Sequence, residues 1–234
     1  MEKLEQLYEG KAKKVYNTED PDLLIVSYKD DATAFNGQKK GQIADKGVVN
    51  NIMSNIIFQI LEDSGVPTHL VRQLSDRETL VKRVRILPLE VIVRNVAAGS
   101  FSNRYGVEEG RPFAKPVLEF SYKNDELGDP LINDDHILAL ELATEEQLAL
   151  VRQYALKVNE VMKEFFLRRD LRLIDYKIEF GVHQGELILA DEISPDTCRL
   201  WDVKTNEKMD KDRFRRDLGN VEETYQAVLA RVRA

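Results

Sequence analysis

The sequence has a single cysteine and no long apolar segment in its 234 residues. Cys198 cannot form a disulfide within the chain, and no run approaches the roughly 18 apolar residues of a membrane-spanning helix. Residues 1–6 (MEKLEQ) lack the apolar core of a signal peptide. We therefore expect a soluble cytoplasmic protein with no membrane partner.

Positive charge and the common nucleotide-binding motifs are also scarce. With 34 basic and 41 acidic residues the formal net charge is −7, which argues against a general nucleic-acid-binding surface. Neither GxxxxGK[ST] nor GxGxxG occurs, and HRD and DFG triplets are missing as well. Any anionic ligand must therefore be captured by a local group of cations.

The secondary structure predicted from the sequence changes along the chain. Up to about residue 95, short β-rich runs alternate with turn formers, and apolar residues at helical spacing predict one helix over 48–61. Beyond it, the capping-box pattern at 144–147 (TEEQ) predicts a helix to about Arg169, and helical periodicity returns over 221–232. The predicted strands cover residues 14–16, 23–28, 80–85 and 90–96. We expect two packed parts with a ligand cleft between them.

Residues 171–194 (LRLIDYKIEFGVHQGELILADEIS) predict a hairpin with an apolar back and a charged front. Lys177 and Glu179 share the charged face. If Gly185 lies at the middle of the loop, Glu179 faces Asp191, and a one-residue shift would leave the two as diagonal neighbours. Two carboxylates beside a lysine suit Mg²⁺ carrying nucleotide phosphates. A solvated hairpin face with a surface ion pair fits the pattern equally well.

Two further segments carry cations in positions that suit anion binding. In residues 8–16 (YEGKAKKVY), Gly10 allows close approach of a phosphate, and Lys11 and Lys13 would share a face of an extended chain. In residues 87–100 (LPLEVIVRNVAAGS), an apolar strand ends at Arg94 and a small-residue loop closed by Ser100. The alternatives are an ordinary basic hairpin for the first and a strand end with a routine turn for the second.

These motifs resemble the phosphoribosylaminoimidazole-succinocarboxamide synthase (SAICAR synthetase) family of de novo purine biosynthesis, over essentially the whole chain. The matching segments are YEGKAKKVY (8–16), ATAFNGQKK (32–40), LPLEVIVRNVAAGS (87–100), LIDYKIEFG (173–181) and ADEISPDTCRLWD (190–202). The family couples ATP hydrolysis to amide formation between carboxyaminoimidazole ribonucleotide and L-aspartate. The resemblance implies an α+β fold reminiscent of protein kinases and ATP-grasp enzymes. Its β-rich ATP-binding lobe would cover residues 1–85 and its α+β lobe residues 86–234, with ATP between them.

The resemblance also implies a role for each matching residue. The catalytic set would be Lys177, Glu179 and Asp191, of which Glu179 and Asp191 would bind Mg²⁺. ATP would be bound by Gly10, Lys11, Ala12, Lys13, Val15 and Lys82, with adenine read by the backbone around Lys82. The ribonucleotide site would comprise Arg94, Ser100, Asp196 and Arg199. Asp175 and the segment 36–40 would support the substrate, while His69, His136 and His183 would be structural or exposed.

Two other classes of function remain as alternatives. A kinase would also use a lysine, Mg²⁺ and two carboxylates, but it would not need an amine acceptor. A non-catalytic nucleotide-binding regulator would bind ATP without the second anion site at Arg94, Ser100 and Arg199. That second site favours an enzyme. We expect ATP, the ribonucleotide and L-aspartate as ligands and a homodimer as the assembly.

Overall fold

The computed structural model describes residues 1–34 and 37–234 of the chain. Asn36, which the sequence analysis groups with a substrate-supporting segment, lies outside the described residues. The strands in chain order are β1 (Lys3–Glu9), β2 (Lys13–Thr18), β3 (Leu23–Tyr28), β4 (Asp31–Ala34), β5 (Lys39–Gln42), β6 (Leu70–Gln73), β7 (Glu78–Lys82), β8 (Arg85–Ile86), β9 (Leu89–Val96), β10 (Pro112–Tyr122), β11 (Leu131–Ile132), β12 (Leu171–His183), β13 (Glu186–Ala190) and β14 (Cys198–Asp202).

The helices in chain order are α1 (Lys46–Asp63), α2 (Gly99–Tyr105), α3 (Asp134–Ala139), α4 (Glu145–Leu167), α5 (Asp212–Arg215) and α6 (Val221–Arg233). Three of the helices, α1, α4 and α6, confirm the predictions made from periodicity and capping, and the short helices α2, α3 and α5 were not predicted. The capping box at the start of α4 is present, since Thr144 Oγ1 accepts the Gln147 amide at 3.2 Å and Gln147 Oε1 accepts the Thr144 amide at 3.0 Å. In the described part of the chain, no helix is long and apolar enough to cross a membrane.

The described strands form two main antiparallel sheets and a short hairpin of β4 and β5. The first sheet has the spatial order β1-β2-β3-β7-β6. Leu24, Val26 and Tyr28 alternate along β3 and pack against Val81 of β7, which gives this sheet a small apolar cluster of its own. The second sheet has the order β11-β10-β9-β12-β13, and β8 and β14 also pair with β12.

Strand β12 is the centre of the second sheet and packs against α4. Tyr176, Ile178 and Phe180 belong to the main core together with the buried faces of α1 and α4. The Tyr176 hydroxyl donates to the carbonyl of Ala155 at 2.6 Å, so even the polar tip of this side chain is satisfied. Ile174 packs instead with Trp201, because the register between β12 and β14 shifts just before Asp175.

The predicted strand over 80–85 is wrong as a single element. Strand β7 ends at Lys82, and Arg85 pairs with Val182 of β12 in the second sheet. The chain changes sheets between these points, and the Arg83 guanidinium is held there by the carbonyl of Pro21 at 2.6 Å. The composition of this segment does not reveal such a crossing, because both of its ends are β in conformation.

The loop between β12 and β13 is shorter than predicted, and Gly185 does not lie at its middle. His183 pairs with Glu186, which leaves Gln184 and Gly185 as a two-residue turn with φ of 48° and 89°. This is the turn conformation that matches the twist of antiparallel strands. Glu179 consequently pairs with Ala190, so the expectation that it directly faces Asp191 is wrong, and the one-residue shift applies.

Candidate active site

Lys13 joins the two sheets at the start of β2. Its ammonium bonds the carboxylate of Asp191 and lies 3.2 Å from Glu192 Oε1, both from the segment that follows β13. Burial opposes protonation of this lysine, but the two carboxylates outweigh burial and raise its pKa well above the ordinary value. Lys13 is therefore a permanent cation at the contact between the first sheet and the segment that follows β13.

Lys11 does not share this position. The chain bends at Lys11 and Ala12 instead of remaining extended, so the expectation of one shared face with Lys13 is wrong. The Lys11 side chain is 51% exposed and its ammonium lies 2.9 Å from Asp125 Oδ1. Lys11 is consequently free to move toward a ligand, whereas Lys13 is held in place.

The other residues predicted to bind ATP lie in the first sheet or its turns. Gly10 forms the turn into β2, where its amide donates to the Lys13 carbonyl at 2.8 Å, and the Ala12 carbonyl accepts the Lys29 amide at 2.8 Å. Val15 packs on the apolar cluster of the first sheet. The amide of Lys82 donates to the His69 carbonyl at 2.7 Å, and its ammonium donates to the Thr68 carbonyl at 3.0 Å.

Glu179 is buried on the charged face of β12, with 3% of its surface exposed. It accepts a hydrogen bond from the ammonium of Lys123, and Lys177 lies 3.8 Å from its other oxygen. Lys177 in turn donates to Glu90 Oε1 at 2.5 Å. The alternative of a solvated hairpin face is therefore wrong, because this carboxylate is enclosed by cations and not by water.

The negative charges of Glu179 and Asp191 repel each other. The pKa of Glu179 is raised, chiefly by burial and next by the negative charge of Asp191, and these two effects outweigh the lowering effect of Lys123. Burial also disfavours the Asp191 anion, but Lys13 and Lys177 outweigh it and lower the pKa of Asp191 to about 2. A buried and a partly buried carboxylate that are close enough to repel each other are a favourable environment for a divalent cation.

A cavity of about 170 Å³ continues from Lys177 toward the other end of the charged face. Among its lining residues are Arg94, Ser100, Asp175, Lys177, Asp196 and Arg199. The structure therefore brings together all four residues predicted for the ribonucleotide, although they come from β9, α2, β14 and the loop before β14. Neither a routine turn nor a simple strand end explains this convergence.

Sheet register explains how Arg94 and Arg199 meet. Asp175 of β12 pairs with Arg94 on β9 and with Arg199 on β14, so one carboxylate lies between two arginines. Its oxygens accept from Arg94 Nη1 at 2.8 Å and from Arg199 Nη1 at 3.0 and 3.1 Å. Arg94 also donates to Glu119 at 2.7 Å and to the Ser100 hydroxyl at 3.2 Å. Burial and these contacts fix both guanidinium groups.

Gly99 allows Arg199 to occupy this position. Its φ of 52° lies in the left-handed region, and a Cβ atom there would be 2.3 Å from Arg199 Nη2. The guanidinium thus lies against the backbone at the start of α2, where a side chain would displace it.

Asp196 is held by two buried lysines and a tyrosine. It accepts from Lys46 at 2.8 Å and from the Tyr225 hydroxyl at 2.6 Å, and Lys211 lies 3.4 Å away. Burial opposes ionisation of Asp196, but Lys211 and Lys46 outweigh it and hold the pKa well below its usual range. Asp196 is therefore suited to bind a cation or a hydroxyl group and not to accept a proton.

The comparison with family models matches residues 6–232 to SAICAR synthetase. The chain belongs to the SAICAR synthetase family. It is 64% identical over 232 residues to the phosphoribosylaminoimidazole-succinocarboxamide synthase of Lachnoclostridium phytofermentans, with 99% of each chain covered. The synthase of Ehrlichia chaffeensis, known from a crystal structure, matches with a TM-score of 0.96 at 46% identity, covering 98% of this chain and 99% of that one. A SAICAR synthetase in complex with ADP matches with a TM-score of 0.94 at 44% identity, with 97% of each chain covered.

Membership of the SAICAR synthetase family makes this protein an ATP-dependent carbon–nitrogen ligase of purine biosynthesis. The α+β fold expected from the sequence is confirmed by the match to these structures. The histidines have structural contacts: His69 is buried and packs edge-on to Phe58 with ring centroids 5.2 Å apart, His136 caps α3, and His183 bonds the Arg83 carbonyl. The pKa of His69 is also affected by the charges of Lys13 and Asp191, so this ring lies near the phosphate end of the site.

Several residues of the site escaped the sequence analysis. They are Lys46, Glu90, Lys123, Lys211, Arg215 and Tyr225. Lys46 carried a signal, because it lies one turn before Val49 and two turns before Met53 on the buried stripe of α1, where an isolated cation needs a partner. Lys123 follows strand β10, and Arg215 lies in the short helix α5. No local sequence pattern distinguishes either residue from other lysines and arginines of the surface.

Proposed function

We propose that the enzyme joins the carboxylate of 5-amino-1-(5-phospho-D-ribosyl)imidazole-4-carboxylate to the amine of L-aspartate, forming SAICAR, ADP and phosphate through an acyl phosphate. One observation supports this most strongly. Glu179, Lys177 and Asp175 alternate on one face of β12, and at about 3.3 Å per residue they span some 13 Å. A single strand thus connects a phosphoryl-transfer site to an arginine-lined anion site.

The chemistry requires both sites. A carboxylate does not react with an amine at a useful rate, because its leaving group would be oxide. Transfer of the γ-phosphoryl group to the imidazole carboxylate provides phosphate as the leaving group, and the aspartate amine then displaces it. The three substrates are all anions, so the protein must offset their repulsion with fixed positive charge.

Residue roles follow from position and charge. Lys13 holds the ATP phosphates from a fixed position, and Lys11 joins them by giving up its exposed contact with Asp125. Lys177, whose pKa is raised because Glu90 and Glu179 outweigh burial, lies beside the transferring phosphoryl group as a permanent cation. The backbone around Lys82 reads adenine, with Gly10, Ala12 and Val15 lining the nucleotide.

Glu179 and Asp191 would hold Mg²⁺. Their mutual repulsion and burial fit a divalent cation, and in the described residues no group of three or more potential metal ligands occurs. Two carboxylates are a common protein contribution to a site for Mg²⁺ that serves nucleotide phosphates. When bound, the ion would neutralise charge on the phosphates, while the exposed Lys123 would exchange its contact with Glu179 for a contact with the substrate.

The ribonucleotide phosphate lies against Arg94, Ser100 and Arg199, and Asp196 contacts substrate near the loop before β14. We assign residues 1–85 to the ATP-binding lobe and residues 86–234 to the lobe with the metal and ribonucleotide sites. We also propose that the enzyme is a cytoplasmic homodimer. Analytical ultracentrifugation of the purified protein tests the dimer, because it measures the mass of the assembly in solution.

The proposed reaction is tested by leaving out one component of the reaction mixture at a time. Protein, Mg-ATP, the carboxylated ribonucleotide and aspartate are incubated together and then with each omitted, and ADP and product are both measured. We expect SAICAR only in the complete mixture and ADP only when ribonucleotide and Mg²⁺ are both present. Rapid ATP turnover without either of them would contradict the ligase mechanism.

A further inference from the structure

A second buried carboxylate lies behind the arginines of the cavity. Asp212, the first residue of α5, is 1% exposed. Its Oδ2 accepts from Arg199 Nε at 2.9 Å, and its Oδ1 accepts from Arg215 Nη1 at 2.7 Å. Each oxygen therefore orients one guanidinium group, and both of these arginines line the cavity.

The backbone ties this carboxylate to the strand that carries Arg199. The Asp212 amide donates to Asp210 Oδ1 at 2.7 Å, and the other oxygen of Asp210 accepts the Leu200 amide at 2.8 Å. Helix α5 is consequently held beside β14 at a defined distance. Arg199 from the strand and Arg215 from the helix are thus fixed relative to each other by two carboxylates.

The arginines differ in how many donors they have left for a ligand. Each of the three nitrogens of Arg94 already donates to a protein group. Arg215 is 29% exposed, and among the residues that the structure describes only its Nη1 donates. Within the described part of the chain, Nε and Nη2 of Arg215 and Nη2 of Arg199 therefore have no protein acceptor, and both residues line the cavity. These donors suit the oxygens of a phosphate monoester.

We propose that Arg215 is a further phosphate-binding residue of the ribonucleotide site and that Asp212 is the positioning residue that aims Arg199 and Arg215. The inference rests on the proposed function for the identity of the phosphate ester. Asp212 does not touch the substrate, and it acts by holding two guanidinium groups in the orientation that a phosphate requires.

Steady-state kinetics of Arg215→Ala test the binding role. Loss of one charge-assisted contact should raise the KM for the ribonucleotide about 10- to 100-fold, with the KM for ATP and for aspartate changed less than about 2-fold. Arg213→Ala is the matched control, because Arg213 lies on the same helix but donates to the carbonyls of Gly219 and Lys208. An equal increase in both variants would mean that α5 is only a structural support, and the proposal would be wrong.

Asp212→Asn tests the positioning role. We expect the same selective increase in the ribonucleotide KM, partly reversed in Asp212→Glu. The effect should be smaller when Arg215 is already alanine, because part of the action of Asp212 passes through that side chain. Full additivity of the two substitutions, or a change in kcat alone, would contradict a positioning role.

Binding of ribose 5-phosphate separates this inference from the proposed function. Calorimetry requires no turnover, so it reports on the anion site even if the wild-type enzyme forms no SAICAR. The affinity should fall about 10- to 100-fold in Arg215→Ala and remain unchanged in Arg213→Ala. Unchanged affinity in Arg215→Ala would overturn the assignment, whatever the incubations with one component left out show about the reaction.

Discussion

Replacement of Gly99 by alanine is the most discriminating test of the anion site. Two effects of this replacement lower the free energy of unfolding. The left-handed φ of 52° costs a residue with a Cβ atom about 1 kcal/mol. The new methyl group would also lie 2.3 Å from Arg199 Nη2.

Arg199 cannot move aside without losing a contact. Its Nε is bound to Asp212 at 2.9 Å and its Nη1 to Asp175 at 3.0 Å. A charge-assisted hydrogen bond of this kind contributes about 1.5–3 kcal/mol, so Gly99→Ala should lower the free energy of unfolding by about 3 kcal/mol in total. The displaced guanidinium should also raise the KM for the ribonucleotide about 10-fold or more, while the KM for ATP stays constant.

Gly65→Ala provides the matched control. Gly65 has a φ of 86°, and a Cβ atom added there would have no other atom within 4 Å, so its replacement carries the backbone cost alone, about 1 kcal/mol. Urea denaturation and steady-state kinetics measure both variants. If Gly99→Ala and Gly65→Ala lose the same stability and neither alters the ribonucleotide KM, the packing of Arg199 against Gly99 has no bearing on binding.

Three further predictions concern the metal pair, the two anion sites and the buried histidine. Asp191→Asn should reduce kcat by several orders of magnitude with a smaller effect on the melting temperature, and near-normal turnover at limiting Mg²⁺ would refute the metal assignment. Arg199→Ala should raise the KM for the ribonucleotide and Lys13→Ala that for ATP, and the assignment of the second site fails if Arg199→Ala weakens ATP alone. Burial lowers the pKa of His69 from 6.5 to about 3, so its neutral form stabilises the fold fully above pH 6.5 and this contribution is lost as the pH falls toward 3. Between pH 6.5 and 5 the contribution of His69 to the free energy of unfolding should therefore fall by about 1–2 kcal/mol. Because the raised pKa of Asp210 acts in the opposite direction over this range, the contribution is measured as the difference in slope between the unsubstituted protein and His69→Phe in denaturation curves. A slope unchanged in the variant would show that other groups cause it.

Local patterns were sufficient to predict much of the fold. The apolar repeat of α1, the capping box of α4 and the alternation along β12 each depend on neighbours within one or two turns, so the sequence alone carries them. The family motifs likewise identified residues from four separate elements, and the fold brings Arg94, Ser100, Asp196 and Arg199 around one cavity.

Only the tertiary structure determined the features that depend on strand register and on ion pairs between residues far apart in the sequence. A two-residue turn, and not the position of Gly185 in the sequence, paired Glu179 with Ala190. The sheet placed Asp175 directly between Arg94 and Arg199, which are 105 residues apart by their numbers in the chain. Lys123 and Arg215 enter the site from segments with no distinguishing pattern, because a cation that meets a distant carboxylate and one that meets only solvent have the same local sequence. Their partners are set only when the chain closes and the desolvation of each charge has to be balanced by a carboxylate within hydrogen-bonding distance.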